Sequence, residues 1–487
     1  MKNQKDPMNF IIIISDTLRR DFLSCYNNGK ADPIIGKPID TKFIQDFAKK
    51  SLIFDNAYSA SFPTVPHRRD VFTGCYTATY TPWSPLSQYE PVLQVILKQH
   101  GYTSMMVTDE AHILENGMYY DRGFDGFEWI RGQEGDRWRT APRKVTWNCD
   151  PDRTRNPERQ SATHMRWRER WRGERDTFPA RTGTRTMEWL EDNYDAGPFY
   201  LYVDFFDPHE PWDPMPWYVD MYDPDYEGEE IIYPRYSKTK GYMNEDELKH
   251  SRSCYAAEVT LIDRWVGRIF QKVEDLGLLE NTMVIFSTDH GFLLGEHGFI
   301  GKSLINYEGR YRLSYLPLYE EINHIPLIIY HPDAKPGRKQ AIVQPPDFLP
   351  TIMDIQGNPF LAVHGESFKD VILGKNDNHR EFALSFPYLN GTGIPITFIK
   401  DGYAAFLFSS TQIREEEVID KAVDGYEKIQ EPWEDAKDML FDLKNDPGQQ
   451  HDIAPENQKL MEQFRAQAIE FLLDLDAEED WVNKWKI

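Results

Sequence analysis

The 487-residue chain has four cysteines, Cys25, Cys75, Cys149 and Cys254, with no CxxC pair and no disulfide-rich spacing. They read as free thiols, which suit a reducing compartment. No uninterrupted apolar run approaches the ~20 residues of a membrane span. The segment Met1-Lys2-Asn3-Gln4-Lys5-Asp6-Pro7 enters the first strand without the apolar stretch of a signal peptide. A cytoplasmic location and no membrane partner are expected. Positive charge is scarce as well: the net charge of −24 argues against a nucleic-acid partner, because a phosphate backbone needs a basic face. An anionic substrate would need a locally positive pocket to offset that field. Internal repeats and low-complexity segments are also missing.

What is present is a globular composition, 40% apolar and 28% charged, over a length that suits one big domain and a smaller one. Phe10 to Ile14, Phe54 to Tyr58, Thr103 to Val107, Phe199 to Phe205, Thr282 to Ser287 and Ile325 to Tyr330 read as strands. Ile39 to Lys50, Val92 to Gly101 and Cys254 to Gly277 have helical spacing, the last two closed by glycine. Strands alternating with helices, with polar residues at the strands' C-terminal ends, predict a doubly wound α/β sheet. Residues about 130–185 are rich in Arg and Trp and read as an ordered insertion, packed over a pocket or at a homo-oligomer contact. After about Gly374, short antiparallel strands (Glu381 to Phe386, Ile396 to Lys400, Tyr403 to Ser409) and a closing helix, Gln458 to Leu475, predict a second α+β unit. The expected domains are therefore 1–374 and 375–487.

Three distant segments carry the chemistry. Ile11-Ile12-Ile13-Ile14-Ser15-Asp16-Thr17 and Phe286-Ser287-Thr288-Asp289-His290-Gly291 are buried strands ending in acids, and Pro63-Thr64-Val65-Pro66-His67-Arg68 sets an alcohol near a fixed cation. Carboxylates, an imidazole and an alcohol are the parts of a hard-metal site that activates an oxygen nucleophile, pointing to hydrolysis of an anionic ester. Oxygen ligands with one imidazole suit Mg²⁺, Ca²⁺ or Mn²⁺, with Zn²⁺ also compatible. Standing alone, Asp16 reads as the N-cap of a following helix. Thr64 reads either as a capping hydroxyl for a helix starting near Pro66 or as a nucleophile above Arg68, whose guanidinium fits a tetrahedral oxyanion. His209, in a loop among Pro and Trp, favours a functional role. His297 could touch the site or merely pack, and Lys302 by default is a solvated lysine. His67 and His112 have no clear role.

These segments, with Phe72-Thr73-Gly74, Asp207-Pro208-His209-Glu210-Pro211-Trp212, Gly295-Glu296-His297-Gly298, Gly301-Lys302, Pro350-Thr351-Ile352 and Leu440-Phe441-Asp442-Leu443-Lys444-Asn445-Asp446-Pro447-Gly448, resemble the sulfatase family of the alkaline phosphatase superfamily in the family's order. The resemblance implies a central mixed, mostly parallel sheet with helices on both faces and a smaller C-terminal α+β subdomain with a short antiparallel sheet. It places Asp16, Asp289 and His290 on metal-ligand positions around one divalent ion, and Thr64 on the nucleophile position. Arg68, His209 and Lys302 fall where the anion's oxygens are held and the leaving group is helped. Thr108 falls on a substrate-side position; with Asp289-His290 and Lys302 it is closer to the phosphonate monoester hydrolase and phosphodiesterase branch.

Two positions depart from the family. Thr17 stands where a second Asp is usual, leaving a hydroxyl or water in that ligand's place. Thr64 stands where Cys or Ser is converted to formylglycine, so no formylglycine is expected. A threonyl ester has no hemiacetal to break, so a second displacement by water is needed. The resulting expectation is attack by Thr64, held at the metal, on a small anionic sulfate or phosphate ester, followed by hydrolysis. The alternatives are a non-hydrolytic anion-binding relative or a metal-dependent phosphomutase of the same superfamily.

Overall fold

A computed structural model describes residues 7–139, 143–306, 311–359, 362–410, 418–421 and 427–486. The centre is an eight-stranded sheet. Its strands are β1 (Asn9–Ser15), β2 (Leu52–Ala57), β3 (Thr103–Thr108), β4 (Gly126–Trp129), β5 (Phe199–Phe205), β6 (Thr282–Ser287), β7 (Leu327–Tyr330) and β8 (Gly337–Val343). In space they run β8-β2-β7-β6-β1-β5-β3-β4. Only β7 is antiparallel to its neighbours; every other pairing is parallel. The mixed, mostly parallel sheet expected from the sequence is present.

Four successive isoleucines place β1 in the middle, because a strand covered on both faces needs no polar side. Ile11 and Ile13 join the core under the long helix Glu245–Asp275, while Phe10, Ile12 and Ile14 join the core on the opposite face. Each such side chain, fully withdrawn from water, contributes about 1.5–3 kcal/mol. The parallel neighbours β5 and β6 hold β1 in register, Ile14 facing Asp204 on one side and Ser287 on the other. That register brings the polar residues after β1, β5 and β6 to one edge, where open α/β sheets bind ligands.

Some boundaries differ from expectation. The helix around Pro66, here α1 (Thr64–Thr73), begins two residues earlier, so Thr64 is its first residue and Pro63 its cap. The helix expected from Cys254 begins at Glu245, where Asn244 and Glu247 form a reciprocal capping box. Within the Arg- and Trp-rich stretch, Phe178–Asn193 is a regular helix leading into β5 and packed beside Glu245–Asp275.

The C-terminal sheet is antiparallel, made of β9 (Ala383–Ser385), β10 (Pro395–Lys400), β11 (Tyr403–Phe408) and β12 (Met439–Asp442), with the helix Gln458–Asp474 against it. Its core includes Ala60, Tyr76 and Ala78 from either side of α1. Phe386, just past β9, donates its N–H to Ala60 O and accepts from Phe62 N–H, both at 3.0 Å. The chain entering α1 is thereby laced to residues more than three hundred positions later. No helix among the described residues is long and apolar enough to cross a membrane.

Candidate active site

Asp16 follows β1, and Asp289 and His290 follow β6. All three side chains are buried, and one ligand atom from each lies within 4.8 Å of the others. Among the described residues this is the only such His/Cys/Asp/Glu group. The capping explanation for Asp16 fails, since the next helical turn, Arg20–Phe22, is capped by Arg19. Thr64 is not a capping hydroxyl either.

Thr17 binds these strand ends together. Its Oγ1 donates to Asp16 Oδ1 (2.7 Å) and its backbone N–H to Asp289 Oδ1 (3.0 Å). It does so with φ at +61°, a conformation rarely adopted by a β-branched residue and maintained only by the surrounding structure. Thr17, expected as a metal ligand, here donates to Asp16 and orients its carboxylate.

The donor set fits a hard divalent cation. Asp16 Oδ2 is buried and makes no hydrogen bond, although Arg68 Nη1 lies 3.0 Å away. His290 Nδ1 sits 2.9 Å from the Gly291 carbonyl oxygen; donating there fixes the tautomer and leaves Nε2 as the lone-pair nitrogen. Burial, opposed by Asp289 and aided by Lys302, pushes His290 down to about 3, so it stays a neutral donor. Burial and then the charge of Asp289 push Asp16 up, with Arg68 and Lys302 opposing them.

Thr64 and Arg68 lie one turn apart on α1 and therefore share a face. Lys302 joins Thr64 to the acids' imidazole: its Nζ is 3.4 Å from Thr64 Oγ1 and 3.1 Å from His290 Nε2. The N-terminus of α1 adds a partial positive charge at Thr64. Arg68 is fully buried. Its Nε and Nη2 meet Asp204 (3.1 and 2.8 Å), while Nη1 faces Asp16, Asp289 and the Thr64 carbonyl. The edge expected to hold substrate oxygens is thus occupied by Asp204.

His209 reaches the site on a loop tied down by Ser15, whose Oγ donates to Asp207 O (2.7 Å). Its ring lies 4.3 Å from that of Phe206, and its Nδ1 is 2.7 Å from Glu210 O. Burial, then the Lys302 ammonium, hold His209 well below the usual imidazole range. Donation from Nδ1 to that carbonyl leaves Nε2 as an acceptor. Thr108, paired in register with Asp204, accepts from Glu110 N–H (2.9 Å). His297 lies flat on Tyr319 (3.7 Å) with Nε2 3.3 Å from Glu321, contacts outside the cluster.

Two groups escaped the sequence reading. Asp204 sits inside a strand that reads as apolar; a carboxylate in a strand covered on both faces is the signal that a buried cation awaits it. The second is a wall beside His209. Arg155 Nη2 reaches Glu134 (2.7 Å), Glu210 (2.9 Å) and the Tyr233 hydroxyl (2.8 Å), and His112 Nε2 reaches the other oxygen of Glu134 (2.7 Å). Arg155 comes from the Arg- and Trp-rich stretch, whose basic character is here balanced by acids.

Residues 8–357 match the profile of the sulfatase family. The chain belongs to that family. Within it the protein is a hydrolase of ester bonds. It is 25% identical over 425 residues to an arylsulfatase of Clostridium perfringens, covering 77% of this chain and 80% of that one. It is 22% identical over 534 residues to an N-acetylglucosamine-6-O-sulfatase of Bacteroides thetaiotaomicron, covering 93% and 83%. The fold is shared with the phosphonate monoester hydrolase of Agrobacterium radiobacter, at a TM-score of 0.69 and 16% identity over 96% of each chain.

Proposed function

We propose that this sulfatase-family protein cleaves a small anionic sulfate or phosphate ester by attack of the Thr64 hydroxyl, beside one divalent cation held by Asp16, Asp289 and His290. The observation that carries the reading is the position of Lys302 Nζ, shared between Thr64 Oγ1 and His290 Nε2. It joins the alcohol to the acidic strand ends. A divalent cation at those ends supplies Lewis-acid chemistry, acidifying a nearby hydroxyl and offsetting charge on the ester's oxygens.

In the first step the Oγ1–sulfur or Oγ1–phosphorus bond forms and the ester's bond to its alcohol breaks. Lys302 gives one of its three protons to the departing oxygen and, as the resulting amine, takes the proton of Oγ1. Water then attacks the threonyl ester. His209, neutral with Nε2 as acceptor, takes the water's proton, which returns to Oγ1 as the bond to Thr64 breaks. The four free cysteines suit a reducing, cytoplasmic setting.

A panel of p-nitrophenyl sulfate, phosphate monoester, phosphate diester and phosphonate monoester, each with Mg²⁺, Ca²⁺, Mn²⁺ and Zn²⁺, tests the reading. Release of p-nitrophenol with at least one pair is expected. Binding without turnover across the whole panel would identify a non-hydrolytic relative, and isomerisation of a sugar phosphate without release of free phosphate a mutase.

A further inference from the structure

Arg68 and Asp204 form a closed pair at the floor of the site. Both are fully buried. Asp204 accepts from Nε at 3.1 Å and Nη2 at 2.8 Å, and its Oδ2 also takes the Tyr202 hydroxyl at 3.0 Å. The Nε–Nη2 edge is the one a guanidinium uses to hold a tetrahedral oxyanion with two parallel bonds. Here that edge is consumed by a carboxylate of the strand beneath. The remaining nitrogen, Nη1, faces Asp16, Asp289 and the Thr64 carbonyl. Of the two cations near Thr64, only Lys302 is left to meet an incoming anion.

The charges can be counted from these neighbours. Asp16, Asp204 and Asp289 with Arg68 and Lys302 leave one negative charge, and a divalent cation turns this into one positive charge. Glu110, the next acid, is pushed by burial up to about 8 and is neutral at pH 7. Beyond it Arg155 is shared by Glu134 and Glu210, so that wall adds no positive charge. Without Asp204 the same site would carry a further positive charge and an open guanidinium edge.

We propose that Asp204 is a specificity-determining residue: by closing the edge of Arg68 it matches the site to a singly charged ester group and disfavours a doubly charged one. Sulfate monoesters, phosphate diesters and phosphonate monoesters are in the first class, and phosphate monoesters in the second. This rests on the hydrolase reading above, which supplies the anion and the divalent cation.

The test uses the metal-loaded full chain at pH 7, above the second ionisation of a phosphate monoester at about 6. Dimethyl phosphate and methyl phosphate differ by one methyl and one charge, and their affinities are measured by calorimetry on the wild type, Asp204→Asn and Asp204→Ser. The wild type is expected to bind dimethyl phosphate about ten-fold more tightly, a difference of about 1.4 kcal/mol. Both variants should lose or reverse that preference, and should raise kcat/KM for p-nitrophenyl phosphate relative to bis-p-nitrophenyl phosphate. A wild type that binds methyl phosphate equally or better, or variants that keep the wild-type ratio, would overturn the proposal. If neither variant folds, the wild-type ratio decides. If no ester turns over, the hydrolase reading fails on its own, and the binding ratio still judges Asp204.

Discussion

Lys302 Nζ stands 3.1 Å from His290 Nε2, an ammonium facing the imidazole nitrogen that the Gly291 carbonyl leaves open. The same ammonium is 3.4 Å from the Thr64 hydroxyl. One cation therefore touches both a candidate metal ligand and the candidate nucleophile.

Replacing that cation should be costly. Lys302→Ala is expected to lower kcat about 10²–10³-fold, the range for losing one preorganised donor to developing charge. Lys302→Arg should not restore it, because a planar guanidinium cannot take the place of a compact ammonium between two close partners. Steady-state kinetics on the best p-nitrophenyl ester would check both.

Thr64 should behave as an alcohol that becomes esterified. Thr64→Ser is expected to stay within about ten-fold of wild type, while Thr64→Ala should lose about 10³-fold or more in kcat. Acid quenching during turnover followed by peptide mass spectrometry should find sulfate or phosphate on Thr64. Full activity of the alanine variant would remove Thr64 as nucleophile.

Thr17 orients Asp16 through a 2.7 Å hydrogen bond. Thr17→Val keeps the branched shape and deletes the hydroxyl, so it should weaken divalent-metal affinity about 10–100-fold, as other losses of a ligand's support do. Competition against a fluorescent chelator reads this directly. Unchanged affinity would mean that the hydroxyl does not bear on the ion.

Asp347 predicts the acid limb of stability. It is fully buried and accepts from Arg380 Nε (2.8 Å), His379 Nε2 (3.1 Å) and the backbone N–H groups of Glu366 (2.9 Å) and Gln344 (3.1 Å). Burial opposes its ionisation, but Arg380 and then the His379 hydrogen bond outweigh that and hold it well below the usual carboxylate range. A depressed carboxyl stabilises the fold above its unfolded pKa of about 3.9, and that contribution fades as pH falls towards the folded value. Asp347→Asn should cost about 3 kcal/mol at pH 7, since Arg380 is left buried without its partner. Its stability should then fall less steeply below pH 4. Urea unfolding at several pH values would test both.

Much of the fold was legible because the central strands are hydrophobic on both faces. Phe199–Phe205 and Thr282–Ser287 coincide with the expected strands to the residue. Gly337–Val343 was not anticipated, since an edge strand reading GRKQAIV carries mostly solvent-facing polar groups. The first turns of Glu245–Asp275 are as polar as a loop, so apolar spacing alone placed that helix start too late. At the site, strand-end acids were visible because composition changes abruptly there. Asp204 and the Glu134–Arg155–Glu210 wall were not, because pairing between residues 21 to 136 positions apart leaves no local pattern. The family resemblance supplied Lys302, which composition alone would have left in solvent.

The lacing of Phe386 to Ala60 and Phe62 means that the reactive alcohol is held in place by the far end of the polypeptide. A truncation ending near 374 would keep every proposed ligand yet release the approach to Thr64 from its anchor. The two portions of the chain are therefore not interchangeable parts, and neither can be swapped for a homologous piece without carrying its counterpart along.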